Sequence, residues 1–349
     1  MTLVSDAFGA GSDTGNPFLA AALDPAFVQD RLRSLPGLHA RVPGLRLRRI
    51  RVVRHKPARR CLIEYDLAPA GPSAEPLVVL GKVRARGLDI STYSLVRRLS
   101  ECGFGPDSED GVSVPPPLGV LPELGMWLQA RVGGCLSTEL MAGRGGATVG
   151  ARVADALHKL HHAPVAPGRA HTVTDELAIL FDRLARLTRE RPGWTGRLER
   201  LAEACARAAA GLEAGVSALI HRDFYPDQVM VAGDRLHLLD FDLCAVGDPA
   251  LDAGNFVGHL VEQALRQHGD AGALDEPAAA LVDRFAARAG RAAAVQVYAT
   301  LTLARHAWLS TQLPGRHATT AMLLDLCEQR LGLATASRSG GAVPSLSAE

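Results

Sequence analysis

The chain has 349 residues, of which 47% are apolar and 21% are charged, a composition that is usual for a folded globular protein and excludes disorder throughout its length. Its 38 Lys and Arg nearly balance its 37 Asp and Glu, and the net charge of +1 excludes a strongly cationic nucleic-acid-binding protein. Six scattered cysteines without a CxxC pair, no basic and apolar leader, and no apolar stretch of membrane-spanning length predict a cytoplasmic protein without membrane or nucleic-acid partners.

The first part of the chain carries the patterns of β-strands. Residues 1–16 are rich in Gly, Ser and Asp, and we predict a flexible segment there. The strand patterns that follow cover residues 47–53, 61–65, 77–83, 118–121 and 126–132. The first two are separated by a turn at residues 55–59, which predicts a β-hairpin. A helical pattern over residues 89–102 interrupts the strands. We therefore predict a mostly β region at residues 17–132.

Helical patterns dominate the second part of the chain. They cover residues 149–162, 176–190, 195–212, 252–266, 277–289, 292–313 and 317–331. A segment rich in short strands and turns, residues 217–243, lies among them. Residues 335–349 have the composition of a loose tail. A β-rich region followed by a helical region predicts an α+β protein with two lobes.

Four oxygen-bearing side chains surround one predicted hairpin in the segment of short strands. Asp223 and Gln228 precede its first strand, and Asp240 and Asp242 follow its second. A hairpin brings the loop before its first strand close to the loop after its second, so we expect these side chains to converge. Because carboxylates in a small volume repel one another, a bound Mg²⁺ with phosphate oxygens among its ligands would neutralise them.

Three spaced motifs in this segment resemble those of the aminoglycoside phosphotransferase family. They are HRDxxxxQ beginning at His221, LLDFD ending at Asp242, and GDPxxD ending at Asp252. The family, which is related to choline kinases and homoserine kinases, has the protein-kinase-like fold. The resemblance therefore implies a small β-rich N-lobe at residues 17–132 and a larger helical C-lobe at residues 133–334.

The resemblance also implies a phosphotransferase that uses ATP, or GTP, with Mg²⁺ to phosphorylate a hydroxyl group. In the matching positions, Asp223 would accept or orient the proton of the attacking hydroxyl. Gln228 and Asp240 would bind the metal. Asp242 would bind a second metal or accept hydrogen bonds from the backbone.

The remaining matches imply nucleotide contacts and structural support. Lys82, on the third predicted strand, would contact the α- and β-phosphates. His221 would hold the catalytic loop, and Asp252 would brace it. Further nucleotide contacts would come from Lys56, Gln129, Arg131 and Val132.

The sequence departs from the family pattern at three places. Gln228 replaces the usual Asn. The acid that normally pairs with the strand lysine should fall near Thr92. Either Asp89 or Glu101 would replace it, or Lys82 would contact the phosphates without an acid partner. The hairpin turn has no Gly-rich phosphate loop, so side chains would have to cover the phosphates. The candidates for that role are Arg54, Lys56, Arg59 and Arg60.

The acceptor is less well defined by the sequence. Residues 255–335 contain seven acids and seven arginines, a balance that favours a neutral or anionic acceptor over a polycation. Trp308 and Gln312 either face the acceptor or belong to the core. Two other functions stay open, namely a Ser/Thr kinase of a peptide and a nucleotide-binding pseudokinase. The sequence does not define the oligomeric state.

Overall fold

The computed structural model describes residues 2–42, 44–69, 76–213 and 215–333. Two clusters of buried apolar side chains lie in these residues, one between residues 10 and 130 and a larger one between residues 95 and 327. Each cluster is the core of one lobe, so the predicted α+β two-lobe fold is confirmed. Within the described ranges, no helix combines the length and apolarity needed to cross a bilayer.

Short and long strands alternate with helices along the chain. The strands are β1 (Leu3–Ser5), β2 (Arg46–Lys56), β3 (Arg60–Ala68), β4 (Leu77–Arg84), β5 (Val112–Ser113), β6 (Pro117–Leu121), β7 (Met126–Ala130), β8 (Cys135–Leu136), β9 (Ala218–Ile220), β10 (Val229–Ala232), β11 (Arg235–Leu238) and β12 (Ala245–Gly247). The helices are α1 (Leu19–Ala22), α2 (Pro25–Arg33), α3 (Pro36–Arg41), α4 (Ile90–Leu99), α5 (Ser137–Leu140), α6 (Gly146–His161), α7 (Val173–Glu190), α8 (Thr195–Ala210), α9 (Ala250–His268), α10 (Asp275–Ala289), α11 (Ala292–Gln312) and α12 (Thr320–Arg330).

The N-lobe contains a six-stranded sheet with the strand order β1-β2-β3-β4-β7-β6. β1 and β2 are parallel, and the other neighbouring strands are antiparallel. In β3, Cys61, Ile63, Tyr65 and Leu67 alternate along the strand and are all buried, as expected for residues that share one face of a sheet. The sheet places Lys82 of β4 next to Trp127 of β7.

The first residues of the chain do not form the flexible segment that their composition predicts. β1 pairs with β2, and Asp13 Oδ2 accepts a hydrogen bond of 2.9 Å from the backbone N–H of Ala58. The same oxygen lies 2.9 Å from His55 Nε2. These contacts attach the segment to the β2–β3 hairpin. They are long-range contacts, which composition does not encode. The predicted tail at residues 335–349 lies outside the described residues.

Helices α1 to α3, which precede the main sheet, were not predicted. Val28 and Leu32 of α2 are buried in the core of the N-lobe. Asp24 is the N-cap of α2, and its carboxylate accepts a hydrogen bond of 2.9 Å from Phe27 N, with Pro25 in the first turn. An Asp-Pro pair before an apolar stripe is a helix-start signal, so this helix could have been found from the sequence.

The C-lobe is built around α9, which is buried over nearly its whole length and packs against α11. Two glycines of α9 allow the close approach of the two helices. A Cβ atom on Gly254 would lie 2.4 Å from Tyr298 Cβ, and one on Gly258 would lie 2.8 Å from Thr302 Cβ. The approach matters for function because α9 begins directly after the GDP segment and carries Asp252 in its first turn.

Lys159 joins α6 to the segment that follows α4. Its ammonium group donates hydrogen bonds to Asp110 Oδ1 at 2.6 Å, Gly103 O at 2.7 Å and Val112 O at 2.8 Å. It also lies 4.5 Å from the ring centroid of Phe104. All three ammonium hydrogens therefore have acceptors, and this lysine has a structural role.

The hairpin of β10 and β11 lies at the centre of a second sheet, with β5 on one side and β8 on the other. The two strands are antiparallel, and Val229 pairs with Leu238. The segments before Val229 and after Leu238 therefore meet at the same end of the hairpin. As the sequence predicts, this end carries the loop of Asp223 and the loop of Asp240.

The contact of α9 with α11 leads to a first prediction. Replacing Gly254 by Ala should lower the free energy of unfolding by about 2 kcal/mol, because the methyl group has no room. The control is Gly196→Ala on α8, where the nearest atom to an added Cβ is the end of the Arg200 side chain at 3.6 Å. That change should be neutral or slightly stabilising. Urea unfolding of both variants measures the difference, and equal stabilities would contradict the packing described here.

Candidate active site

Asp252 holds the loop that carries Asp223. Its carboxylate is completely buried and accepts hydrogen bonds of 2.7 Å from the backbone N–H groups of His221 and Arg222. His161 Nε2 lies 2.9 Å from the same carboxylate. Arg222 has a φ of 71°, a left-handed conformation that is unfavourable for residues other than Gly. Asp252 therefore stabilises a strained backbone next to Asp223.

Two further contacts keep this loop in place. Asn255, one helical turn after Asp252, donates a hydrogen bond of 2.6 Å from its amide nitrogen to Arg222 O. His221 Nε2 lies 2.7 Å from Leu239 O. Because a carbonyl oxygen only accepts hydrogen bonds, this ring nitrogen carries the proton. The His221 ring thus joins the Asp223 loop to the loop that carries Asp240.

Lys82 and Asp240 meet between the two lobes. Lys82 Nζ lies 3.2 Å from Asp240 Oδ1 and 4.9 Å from the ring centroid of Trp127. Burial by itself raises the pKa of Asp240, but the charge and hydrogen bond of Lys82, with the charge of Arg60, outweigh it and hold that pKa below 3.8. Asp240 is therefore ionised at neutral pH and available to a cation.

Asp242 lies beside Asp240 and contacts two arginines of the N-lobe. Its Oδ2 atom lies 3.1 Å from Arg60 and 2.7 Å from Arg84. Its Oδ1 atom is buried and has no hydrogen-bond partner. Our alternative expectation that Asp242 accepts hydrogen bonds from the backbone is therefore wrong for the described residues, because the guanidinium groups supply the donors instead.

Neither of the acids that we expected to replace the missing helix acid reaches Lys82. Asp89 is the N-cap of α4, where it bonds Thr92 N at 3.0 Å, and it pairs with Arg84 at 2.9 Å. Glu101, two residues after the end of α4, is exposed and lies 3.8 Å from Arg97 of that helix. The carboxylate that Lys82 contacts is that of Asp240.

The donor set fits a divalent hard cation that uses few protein ligands. Asp240 is ionised, Asp242 has one buried oxygen without a partner, and Gln228 is buried at the same end of the hairpin. The backbone of Gln228 is fixed, since its carbonyl accepts a hydrogen bond of 2.9 Å from Leu239 N. Within the described ranges, His, Cys, Asp and Glu form no group of three that could hold a metal. Phosphate oxygens or water would have to complete the coordination, as is usual for Mg²⁺.

Two adjoining cavities lie between the lobes and share Arg60, Arg84, Asp240 and Asp242. Together we name them the interlobe cavity, and the larger part has a volume of about 540 Å³. It is lined by seven cationic and four acidic side chains, so its charge balance is positive. The cations are Arg54, Arg59, Arg60, Lys82, Arg84, Arg86 and Arg169, and the acids are Asp89, Asp223, Asp240 and Asp242.

Asp223 and Lys56 differ in their surroundings. The Asp223 carboxylate lines the interlobe cavity, and among the described residues no donor bonds it.

Lys56 ends β2 at the hairpin above the cavity. Burial, together with the charges of Arg60 and Arg54, lowers the pKa of Lys56. These cations repel one another, and a bound polyanion would relieve that repulsion.

The expected adenine contacts lie where β7 ends. Gln129 is buried and pairs with Leu80 of β4. Arg131 donates its backbone N–H to Val78 O at 2.8 Å, so this amide is already used by the sheet. Val132 follows directly and is half-buried. The structure thus places Gln129 near the end of β7 and Val132 just beyond it, and their contact with a base stays a prediction.

A separate cavity of about 310 Å³ lies beside the segment that follows Asp223. We name it the acceptor cavity. It is lined by Arg54, Thr138, Tyr225, Pro226, Asp227, His259, Glu262, Gln263, Arg266, His306, Leu309, Ser310, Leu313 and Arg316. Most of these side chains belong to α9, α11 and the loop of Asp223, and Arg54 comes from the N-lobe.

Trp308 and Gln312 do not line the acceptor cavity. Both donate hydrogen bonds to Glu190 at the end of α7, at 3.2 and 2.9 Å. The Trp308 ring also lies 4.4 Å from the guanidinium carbon of Arg183. The face of α11 that carries these two residues packs against α7, whereas His306 points to the acceptor cavity.

Sequence reasoning missed the residues that secure the two acidic loops. Arg84 joins Asp89 to Asp242, and Arg169 donates hydrogen bonds to the backbone carbonyls of Asp242 and Cys244. Arginines are so frequent in this chain that nothing in the sequence distinguishes these two. Asn255 could have been found, because residues three apart on a helix share a face.

The motifs, their geometry and the cavity point to one enzyme family, and a comparison of the sequence with family models decides it. The model of the phosphotransferase enzyme family matches residues 93–295. The chain belongs to this phosphotransferase family. Its members transfer phosphoryl groups, and the chain is accordingly a phosphotransferase that acts on hydroxyl groups. No curated protein sequence matches the chain.

Solved structures of other phosphotransferases have the same fold. A choline/ethanolamine kinase family protein from Mesorhizobium loti is 16% identical with a TM-score of 0.57, over 88% of this chain and 94% of that one. Choline kinase from Cryptosporidium parvum is 10% identical with a TM-score of 0.59, over 88% and 95%. An amicoumacin kinase in complex with AMP-PNP and Ca²⁺ is 12% identical with a TM-score of 0.54, over 89% and 95%.

The role of Asp252 can be tested through stability. Replacing it by Ala leaves two buried backbone N–H groups without acceptors, which should lower the free energy of unfolding by about 3 kcal/mol. Asp283→Ala is the control, because Asp283 is exposed on α10 and its loss should change stability by less than about 0.5 kcal/mol. Urea unfolding compares the two, and equally small losses would show that Asp252 does not hold the loop.

Proposed function

We propose that this phosphotransferase transfers the γ-phosphoryl group of ATP, with Mg²⁺, to a hydroxyl group of a small molecule. The observation that carries the proposal is the arrangement of the interlobe cavity. Asp223, Asp240 and Asp242 line it together with an excess of cationic side chains. A site that holds both carboxylates for a metal and positive charge for phosphates suits a metal–nucleotide complex.

The nucleotide is supported by two further observations. The N-lobe supplies Lys82 and the cationic side chains of the β2–β3 hairpin. Burial, and then repulsion by Arg60 and Arg54, lowers the pKa of Lys56 in that hairpin. Of the structures with this fold, the amicoumacin kinase is in complex with a triphosphate analogue and Ca²⁺. We extend nucleotide and divalent-metal use from that protein to this chain as part of the proposal.

Each side chain has a definite task in the proposed reaction. Lys82 holds phosphate oxygens and would exchange part of its contact with Asp240 for them. Asp240 and Gln228, with the free oxygen of Asp242, would hold Mg²⁺, which when bound neutralises the charge that develops on the phosphoryl oxygens. Asp223 orients the acceptor hydroxyl and takes its proton, and it is available for this because no side chain or backbone group of the described residues donates a hydrogen bond to it.

The size of the acceptor cavity favours a small molecule. A volume of about 310 Å³ lies at the lower end of the range for small-ligand sites. Its walls are side chains of two helices and one loop, which surround a compact acceptor, whereas a peptide substrate needs an extended surface. A pseudokinase is a second candidate because neither Asp89 nor Glu101, which flank α4, contacts Lys82. The prediction of a cytoplasmic location is unchanged.

The role of Asp223 gives a direct test. Asp223→Asn should lower the rate of phosphoryl transfer by about 10² to 10⁴-fold, because the amide cannot accept the proton, and should leave ATP binding unchanged. Radiolabelled ATP with a panel of hydroxyl compounds measures transfer, and calorimetry measures binding. The matched control is Asp234→Asn in the turn of the same hairpin. A wild-type rate in Asp223→Asn would refute the role, and ATP binding without transfer by the wild type across the panel would favour the pseudokinase.

Arg54 gives a test of the nucleotide that requires no acceptor. It lines both the interlobe cavity and the acceptor cavity, which is where the terminal phosphate would lie. Arg54→Gln should weaken the binding of ATP with Mg²⁺ by about 10-fold, the value of one charge-assisted contact, and should leave ADP binding nearly unchanged. Calorimetric titrations with both nucleotides measure this. Arg48→Gln, an exposed position on the same strand, is the control. An equal loss of affinity for ATP and ADP would contradict the placement of Arg54 beside the terminal phosphate.

A further inference from the structure

We propose that the acceptor cavity selects an acceptor with an anionic group, such as a carboxylate, close to the hydroxyl that is phosphorylated. The inference rests on the proposed function and adds the chemical class of the acceptor. It is carried by the distribution of charge around the cavity, by the contacts of the charged side chains, and by the state of two buried histidines.

The cavity lies where an acceptor would have to bind. Tyr225 and Asp227 both line it, and they follow Asp223 by two and four residues. Burial raises the pKa of Tyr225, as do the charges of Asp223 and Asp227, so its ring lies in the electrostatic field of the Asp223 loop. A molecule in this cavity could therefore present a hydroxyl to the Asp223 carboxylate.

The charged side chains on its wall leave an excess of positive charge. Glu262 is buried, and its Oε1 atom contacts Arg266 at 3.1 Å and Arg316 at 3.2 Å. One carboxylate neutralises only one of two guanidinium groups, so this triad carries a net positive charge. Its arginines are partly exposed, with 27% and 35% of their side chains accessible, and keep donors for a ligand.

The other two charged groups of the cavity do not change this balance. Asp227 is exposed and accepts a hydrogen bond from the Thr138 hydroxyl. Arg54 has no ion pair among the residues that the structure describes, in contrast to Arg60 and Arg84. Three guanidinium groups thus face two carboxylates, one of which is buried between two of the arginines.

Two histidines of the cavity are uncharged. Burial, together with the charges of Arg305 and Arg316, lowers the pKa of His306 to about 3. Burial and the neighbouring His306 ring likewise hold the pKa of His259 well below 6.5. The positive charges of Arg305 and Arg316, which contribute to both shifts, also disfavour a cationic ligand.

One polar atom of the cavity lacks a partner. His306 Nδ1 is buried and has no hydrogen-bond partner in the part of the chain that the structure describes, and only 6% of the His306 residue is exposed. Its ring lies edge-on to that of His259, with centroids 4.4 Å apart, and His259 stacks on Tyr225 at 4.6 Å. The cavity therefore offers an aromatic wall, an unused ring nitrogen and arginine donors. This set suits a compact polar acceptor with a carboxylate or a similar anion.

Three matched probes test the charge of the acceptor. Glycerate, glycerol and 3-amino-1,2-propanediol share a diol and differ in carrying a carboxylate, a hydroxyl or an ammonium group. Their affinities are measured by ligand-observed NMR with the whole protein saturated with ADP and Mg²⁺, at constant ionic strength. We expect glycerate to bind at least 10-fold more tightly than the amine, with glycerol between them. Absence of glycerate binding, or equal or tighter binding of the amine, would overturn the proposal.

Variants locate the effect. Arg316→Gln should weaken glycerate binding by about 10-fold and narrow the difference between glycerate and the amine. Arg200→Gln, exposed on α8, is the matched control and should change neither. Arg54→Gln provides a second test at an exposed position if Arg316→Gln does not fold. If Arg316→Gln and Arg54→Gln fold and bind glycerate as tightly as the wild type, the proposal that the acceptor cavity binds the anionic group is overturned.

A failure of the proposed function and a failure of the inference about the acceptor would give different experimental results. If the wild type binds neither ATP nor ADP in the presence of Mg²⁺, the proposed phosphoryl transfer is wrong. If it binds both nucleotides, or transfers phosphate, and nevertheless prefers the amine, only the inference about the acceptor is wrong.

Discussion

The carboxylate of Asp252 is fully buried, and the backbone N–H groups of His221 and Arg222 and the ring of His161 surround it. These bonds compensate for the burial of a charge, which would otherwise be very unfavourable. They also stabilise the otherwise unfavourable left-handed conformation of Arg222. The orientation of Asp223 in its loop thus depends on Asp252 in the first turn of α9. Through that helix it also depends on the packing of α9 against α11.

The second constraint lies between the lobes. The two apolar cores are separate, and the polar contacts that join them in the active site are ion pairs: Lys82 with Asp240, and two arginines with Asp242. Ion pairs in a solvated cleft are worth less than apolar packing and are rearranged at smaller cost. A nucleotide can therefore exchange contacts with these groups without disturbing either core.

The sequence predicted the parts of the site that are held by local structure. Asp223, Asp240 and Asp252 lie in motifs whose spacing follows from a hairpin and a helix start, and the structure brings the first two to one cavity. The partners of Asp242 were not predictable, because Arg60 is 182 residues away in the chain and arginines are abundant. The attachment of residues 2–16 to the N-lobe was not predicted for the same reason, because its contacts are long-range. On α11 the sequence did not decide which face lines the cavity, since this helix is apolar on several sides and periodicity does not distinguish His306 from Trp308.

The scarcity of lysine has a practical consequence for chemical footprinting. Two of the three lysine side chains, Lys56 and Lys82, belong to the region where phosphates are proposed to bind. The third, Lys159 on α6, donates all three of its ammonium hydrogens to acceptors in the segment that follows α4. An amine-selective reagent would therefore modify few positions in this protein. Shielding of those side chains would report the arrival of a ligand between the lobes without any engineered label.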